Sequence, residues 1–384
     1  MNIVGIIAEY NPFHNGHLYH LKKVKQLYPD SIIVLVLSGN FLQRGEVSII
    51  DKWEKTKIAL EYGVDIVLEL PFVFATQGAD IFAKGALQIL NEFKVNKLIF
   101  GSEMNNIEIL KELANIQINN KEYDKRAKEL LDKGINYPTA LSTALKEFTS
   151  VQITEPNDLL GLSYIKQIIK NDYKIEPISI KRTNNYHDTN SNDEIISASN
   201  IRNKLQNKID VKNYIPDSTY EYLINNKIIN MSDYFPYLKY QVISNINNLE
   251  EFLTVDEGIE NRIKKVIYKA NNFEELIMGI KTKRYTYNKI SRMLCHILTS
   301  FKKEDNIQSL KYIRILGLND IGRKYLNSIK KEINTKLITK FSDFSKEERD
   351  FELKLAYIYS LPFKMYEKEK YLSNEINSKI IFKK

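Results

Sequence analysis

One cysteine, one tryptophan and five histidines occur in 384 residues. A lone Cys295 can form neither an internal disulfide nor a thiolate metal cluster, and it suits a reducing cytosol, so a cytoplasmic location is expected. Long apolar runs are missing as well. The stretch from Ile32 to Leu37 falls far short of the ~20 residues that a spanning helix needs, so no membrane partner is expected. Residues 1–5 carry no positive side chain and Glu9 cuts the apolar run that follows, unlike a signal peptide. No internal repeat or low-complexity linker is evident. Hydrophobic residues at 43% and charged residues at 27% fit a globular chain, and the length allows two domains.

The net charge of +8 is unevenly placed. Residues 1–205 hold 24 Lys and Arg against 25 Asp and Glu, a net of −1; residues 206–384 hold 32 against 23, a net of +9. A near-neutral half joined to a basic half suggests chemistry in the first and polyanion binding in the second.

Short apolar runs at 3–8, 31–38, 65–70, 97–101 and 175–180 are rich in Ile, Val and Leu with little alternation, as in strands buried on both faces. Helical spacing occupies 16–28, 52–62, 79–93, 107–115, 125–133 and 158–170. Strand–helix alternation of this kind predicts an α/β domain with a doubly wound parallel sheet, whose ligands bind beyond the carboxyl ends of the strands. From about Gln206 the pattern becomes helical, as at 251–270, 288–300 and 322–334, and a mainly α-helical domain is expected over 206–384.

Three of the five histidines fall at 14, 17 and 20, in the run Glu9-Tyr10-Asn11-Pro12-Phe13-His14-Asn15-Gly16-His17. His14 and His17 sit where a helix begins, and a helix N-terminus is a natural seat for phosphate. Two imidazoles there can donate to phosphate oxygens and stabilise charge on a pentavalent phosphorus, while Gly16 lets the backbone come close. His20, one turn on, reads equally well as packing. No third metal ligand lies at familiar spacing, so no metal site is expected. Arg182 closes the fifth strand, where a guanidinium can neutralise phosphate. Gly101 ends the fourth, Asn157 precedes a helix, and Ser197, Ser199 and Arg202 surround another helix start. The loop from Ser38 to Glu46, with Arg44 between Gly39 and Gly45, reads either as a closing flap or as a fixed turn.

In the helical half, Lys281, Lys283, Arg284, Lys289 and Arg292 occur together with Tyr285 and without an acid, a pattern of cations for phosphates and a ring for an unpaired base. Arg314 leads a weaker second group. Cys295 and His296 are adjacent on a helix, point differently and read as core.

The His-x-Gly-His element resembles the signature of the nucleotidylyltransferase superfamily, a Rossmann-like fold. The likeness extends further. Segments from Ala8 to His17 and from Ser38 to Glu46, with Glu69-Leu70-Pro71, Phe100-Gly101-Ser102-Glu103, Asn157-Asp158-Leu159-Leu160-Gly161, Lys181-Arg182, Tyr186-His187-Asp188, the run from Ser197 to Arg202, Lys283-Arg284-Tyr285-Thr286 and Arg314-Ile315-Leu316-Gly317, resemble the tRNA(Met) cytidine acetate ligase family in order. That resemblance implies activation of acetate by ATP, with Mg²⁺, as acetyl-adenylate. The acetyl group would then pass to N4 of the wobble cytidine of elongator tRNA(Met). It also implies ATP contacts at Ile7, Ala8, Glu9, Tyr10, Asn11, Pro12, Phe13, His14, Asn15, Gly16, His17, Leu18, Tyr19, His20, Gly101, Asn157 and Arg182, with Ser197, Ser199 and Arg202 as a second phosphate element. His14, His17 and Arg182 would be catalytic. Val47-Ser48 stands where the family usually has Pro-Ala, and Thr183-Asn184-Asn185 where a glycine turn is usual. A nucleotidylyltransferase acting on a small phosphorylated cofactor precursor, and a non-catalytic RNA-binding protein, are the competing readings.

Overall fold

The computed structural model describes residues 1–182, 195–377 and 379–384, so Tyr186-His187-Asp188 and Thr183-Asn184-Asn185 lie outside the described residues. The expected strands form as β1 (Ile3–Ala8), β2 (Ile32–Ser38), β3 (Ile66–Leu70), β4 (Lys97–Ser102) and β5 (Glu176–Lys181). Between them run α1 (Asn15–Leu27), α2 (Lys52–Glu61), α3 (Phe72–Ala75), α4 (Ala79–Glu92), α5 (Ile107–Asn119), α6 (Lys121–Asp132), α7 (Tyr137–Leu145) and α8 (Pro156–Lys170). Then come α9 (Ala198–Gln206), α10 (Asp217–Asn225), α11 (Phe235–Ser244), α12 (Ile259–Ile267), α13 (Phe273–Ile280) and α14 (Tyr287–Leu298).

β1 to β5 pair in parallel, in the order β5-β4-β1-β2-β3. β1 to β4 are largely buried on both faces, as their composition requires, whereas β5 at the edge is only partly buried. On β2, Ile33, Leu35 and Leu37 join a core shared with α1, α2 and the helices after residue 206, whereas Ile32, Val34 and Val36 join one shared with α4, α5 and α8. Succession from β1 to β3 runs one way across the sheet, and β4 and β5 lie on the other side of β1. The crevice beyond the carboxyl end of β1 is therefore the topological switch point.

Residues 206–384 are mainly helical, and they also extend the sheet. β6 (Tyr312–Asn319) pairs antiparallel with β3, and β7 (Lys336–Ile338) and β8 (Ile381–Lys383) pair with β6. With them come α15 (Asp320–Ile329), α16 (Lys346–Tyr359) and α17 (Met365–Asn377). Among the described residues no helix is long and apolar enough to cross a membrane.

Arg314 had been expected to meet RNA. It lies instead inside β6 at 4% exposure and belongs to a buried ionic cluster. Its guanidinium pairs with Glu375 and lies 3.5 Å from Glu69, while Lys52 Nζ lies 2.9 Å from Glu69 and 3.0 Å from Glu375. Trp53 Nε1 donates to Glu375 and the Tyr312 hydroxyl to Glu352. The cluster joins α2, β3, β6, α16 and α17, so its charges are held for packing rather than for a ligand. Removing one partner leaves an uncompensated buried charge. Arg314→Met should lower unfolding free energy by about 3–5 kcal/mol, read as a shift of the urea midpoint. An unchanged midpoint would show that the cluster does not hold the C-terminal strands.

Candidate active site

β1 ends at Ala8, and Tyr10 follows with φ 49, a sharp redirection of the chain toward α1. His14 is the N-cap of α1, and its cap is reciprocal. Gly16 N donates to His14 Nδ1 at 3.0 Å, and His14 N donates to His17 Nδ1 at 3.3 Å. A Cβ on Gly16 would stand 2.7 Å from the His14 ring, so the cap requires glycine there. Since both Nδ1 atoms accept, each neutral imidazole carries its proton on Nε2. The pair therefore presents two N–H donors at a helix N-terminus.

The ring centroids are 3.8 Å apart, and Tyr10 packs edge-on against His17 with centroids 4.7 Å apart. Burial, then the nearby Arg182 and Arg202, holds the His14 pKa down to about 3. Burial, then His14, Arg182 and His20, pushes His17 well below the ordinary imidazole value. His20 is lowered to about 4, again first by burial, and its Nε2 is buried with no hydrogen-bond partner among the described residues.

A cleft of about 890 Å³ opens over this element. Ile7, Ala8, Glu9, Tyr10, Asn11, His14, Gly16, His17, Tyr19 and His20 line it, as do Gly101, Asn157, Arg182, Ser197, Ser199 and Arg202. Four expected nucleotide contacts are not in its lining. Pro12 is buried, Phe13 is fully buried and stacks on Tyr62 at 5.3 Å, Leu18 packs on the core, and Asn15 Nδ2 donates to Asn213 O at 2.9 Å.

On the β4–β5 side, a Cβ on Gly101 would lie 3.3 Å from Arg182 Cγ, so the bare backbone admits the arginine stem. Arg182 Nε is 3.4 Å from Glu103 Oε1. Asn157 lies inside α8 rather than before it, Glu155 being the N-cap, and the Asn157 amide donates to Glu103. Asp158 accepts from Ser102 Oγ, Glu103 N and Met104 N, which locks the loop after β4 onto α8. Ser197 does cap α9, accepting from Asn200 N at 3.2 Å. Arg202 donates to Asn11 O at 2.8 Å and pairs with Glu46 at 2.9 Å.

The opposite wall was legible in the sequence only at the loop that carries Arg44. Gln43, Arg44, Arg284, Lys289 and Arg292 line the same cleft, so part of the basic run expected on an RNA surface converges on the histidines. The loop after β2 is a fixed turn rather than a flap. Leu42 N bonds Glu46 O, Ser48 N bonds Asn40 O, and Ser291 Oγ donates to Gly45 O. Gly45 has φ +77, and a Cβ there would meet Arg292 N at 2.3 Å, so the loop is seated on α14 through a position only glycine fits. Val47 keeps this turn by bridging Phe41.

Within the basic run, Lys281 and Lys283 are exposed. Arg284 pairs with Glu257, and Lys289 lies over the Tyr285 ring at 3.9 Å. Tyr285 itself is 4% exposed and its hydroxyl donates to Asp256 O, so stacking on a base is corrected to a cation–π and core role. Cys295 and His296 are core, as expected; His296 bridges to Thr76 O and Leu253 O.

The family model for HIGH nucleotidyl transferases matches residues 1–374. A tRNA(Met) cytidine acetate ligase of Caldicellulosiruptor saccharolyticus is 39% identical over 399 residues, covering 100% of this chain and 99% of that protein. The ligase of Bacillus subtilis is 38% identical, covering 94% and 92%. The apo crystal structure of Thermotoga maritima TmcAL superposes with a TM-score of 0.92 at 32% identity, covering 100% of this chain and 99% of that one. The form bound with alpha-thio ATP gives 0.90 at 31% identity over the same shares.

The lowered imidazole pKa values have a consequence for stability. Unfolded histidines take up protons near pH 6.5, whereas folded His14 and His20 refuse them until about 3 and 4. Their contribution is therefore complete above the unfolded value and is lost as pH falls below it, by up to about 1.4 kcal/mol per pH unit for each ring. Urea melts on the two sides of pH 6.5 should show this slope, and His14→Asn with His20→Asn should flatten it. An equal slope in the double variant would mean that the rings are protonated when folded.

Proposed function

Because the chain belongs to the tRNA(Met) cytidine acetate ligases, within the HIGH nucleotidyl transferase family, we propose that it uses ATP and acetate to acetylate N4 of the wobble cytidine of elongator tRNA(Met). The observation that carries this reading is the reciprocal cap that leaves His14 and His17 as paired Nε2–H donors over a cleft at the switch point.

Acetate attacks the α-phosphate of ATP, and pyrophosphate leaves. The two imidazoles donate to oxygens on which charge builds, and Arg182 neutralises them from the β5 side. Burial and neighbouring cations keep the rings neutral, so they hold phosphate as hydrogen-bond donors rather than as cations. Gly101, Asn157, Ser197, Ser199 and Arg202 complete the nucleotide site, with residues 7–11, 16, 19 and 20. Among the described residues no group of three His, Cys, Asp or Glu side chains could hold a metal, so Mg²⁺ would be carried by the phosphates of ATP. In the second step the amine of cytidine attacks the acetyl carbon and AMP leaves.

We assign adenylate formation to the sheet built chiefly from residues 1–205, and tRNA holding to the helical part of 206–384. Lys281 and Lys283 face solvent, and Arg284, Lys289 and Arg292 continue the cationic track into the cleft. Arg314 and Tyr285 have no part in it. A tRNA substrate and the single, buried Cys295 together suit a cytoplasmic site of action.

Incubation with ATP, labelled acetate and bulk tRNA, followed by nucleoside analysis, should yield labelled N4-acetylcytidine. Pyrophosphate exchange into ATP should require acetate; dependence on a phosphorylated cofactor precursor would instead favour the competing enzyme class. His17→Ala should reduce acetate-dependent exchange by about 10²–10³-fold, the usual effect of removing one transition-state donor. Unchanged acetylation by that variant would overturn the assignment.

A further inference from the structure

The second step needs a base, because the exocyclic amine of cytosine is a weak nucleophile whose proton must leave as the amide forms. His14 and His17 cannot serve, since their Nδ1 atoms already accept from backbone N–H groups and their Nε2 atoms bear the protons. Among the described residues three acidic side chains line the cleft: Glu9, Glu46 and Asp80. Glu46 pairs with Arg202 at 2.9 Å, and Asp80 pairs with Lys166 at 2.6 Å. Among the described residues no such pair involves Glu9. Its Oε1 accepts from Gln43 N at 2.7 Å, and its backbone carbonyl accepts from Lys55 Nζ at 2.9 Å. The carboxylate is thus fixed through one oxygen, and its second oxygen has no partner among the described residues.

Its position in the sheet is equally pointed. Glu9 follows directly on β1, between the β4 side, with Gly101 and Arg182, and the β2 side, with Gln43, Arg44, Lys289 and Arg292. The first side suits ATP, and the second carries cations suited to an RNA phosphate. An acetyl-adenylate held by the histidines and an entering cytidine would meet between these walls, where Glu9 stands.

Building on the ligase reading, we propose that Glu9 is the general base of acetyl transfer. The N4 lone pair forms the bond to the acetyl carbon, the carbon–oxygen bond to the phosphate breaks, AMP leaves with that electron pair, and the N4 proton passes to the Glu9 carboxylate and then to solvent. The surroundings favour the role. Burial raises the Glu9 pKa from its ordinary value, the Gln43 N–H opposes the shift and Glu46 adds to it; Lys55 and Arg44 act the other way, and Tyr164 of α8 is also close enough to feel its charge. A carboxylate whose pKa is raised holds an incoming proton more firmly than an ordinary one.

The test uses the full chain and separates the two half-reactions. Glu9→Gln keeps an acceptor for Gln43 N, so a purely structural role predicts little change. Acetate-dependent pyrophosphate exchange without tRNA reports the first step; single-turnover transfer from enzyme-bound acetyl-adenylate to tRNA reports the second. Transfer by Glu9→Gln should fall about 10²–10⁴-fold and by much more than exchange. The wild-type transfer rate should rise with pH along an acid limb that Glu9→Asp retains and Glu9→Gln lacks. Unchanged transfer, an equal fall in both steps as expected of a metal or ATP ligand, or an acid limb surviving in Glu9→Gln would each overturn the proposal. Absence of acetate-dependent exchange in the wild type would overturn the ligase reading and this proposal together, whereas normal exchange with unaffected Glu9→Gln transfer would remove this proposal alone.

Discussion

Two hydrogen bonds between backbone and imidazole decide what the cleft can do. Gly16 N to His14 Nδ1 and His14 N to His17 Nδ1 close the first turn of α1, and in doing so they fix both tautomers. A helix N-terminus ordinarily offers only its own unpaired N–H groups to an anion. Here two of those groups are satisfied by the rings, and the rings offer Nε2–H in exchange. Neutrality is part of the arrangement. Burial, with Arg182 and Arg202 nearby, disfavours imidazolium, so the site donates hydrogen bonds without adding fixed charge.

This motif must be held against the strand that feeds it, and a buried lysine does much of that work. Lys55 on α2 donates to the carbonyls of Glu9, Ser38 and Gly39 at 2.9, 2.9 and 2.8 Å, gathering the ends of β1 and β2 onto one ammonium. Parallel pairing brings Ala8 level with Leu37, so both ends lie at the same edge. Burial lowers the lysine pKa to about 7, while Glu9, Asp51 and Glu69 oppose the shift. Three well-placed acceptors are what such a group needs to remain buried at all.

Much of this was legible in the amino-acid order, and the exceptions have physical reasons. The inner parallel strands announce themselves because burial on both faces favours runs of Ile, Val and Leu, while β5 at the edge is poorer in apolar residues and only partly buried. His14 and His17 stand out because histidine is scarce here and the pair falls between a strand and a helix. β6 is hidden by Arg314, whose charge argues for a surface until Glu375, on a helix 61 residues later, turns out to neutralise it. Tyr285 misleads in the same manner, since an aromatic ring among cations reads as a base-stacking surface, and only packing shows its face covered by Lys289. The share of the second wall that comes from α14 could not be foreseen. It depends on α14 seating against Gly45, a contact between segments nearly 250 residues apart that no local pattern encodes.

That distant contact explains why the chain works as a single unit rather than as a catalytic half with an appendage. The turn after β2 is fixed from three directions, all by later residues. Ser291 of α14 bonds Gly45 O, Tyr359 of α16 donates to Ser48 O at 2.9 Å, and Asn40 donates to the hydroxyl of Tyr371 on α17. Beneath the turn, Lys52 donates to Glu69 and pairs with Glu375, so the same α17 that neutralises Arg314 also anchors the start of α2. Gln43 and Arg44 face the cleft from that turn. Loosening α16 or α17 would therefore shift the wall that carries Gln43 and Arg44 while leaving the His14–His17 cap, set by β1 and α1, in place. The two ends of the cleft answer to different parts of the chain: the histidine end to β1 and α1, the Gln43–Arg44 end to helices laid down almost at its end.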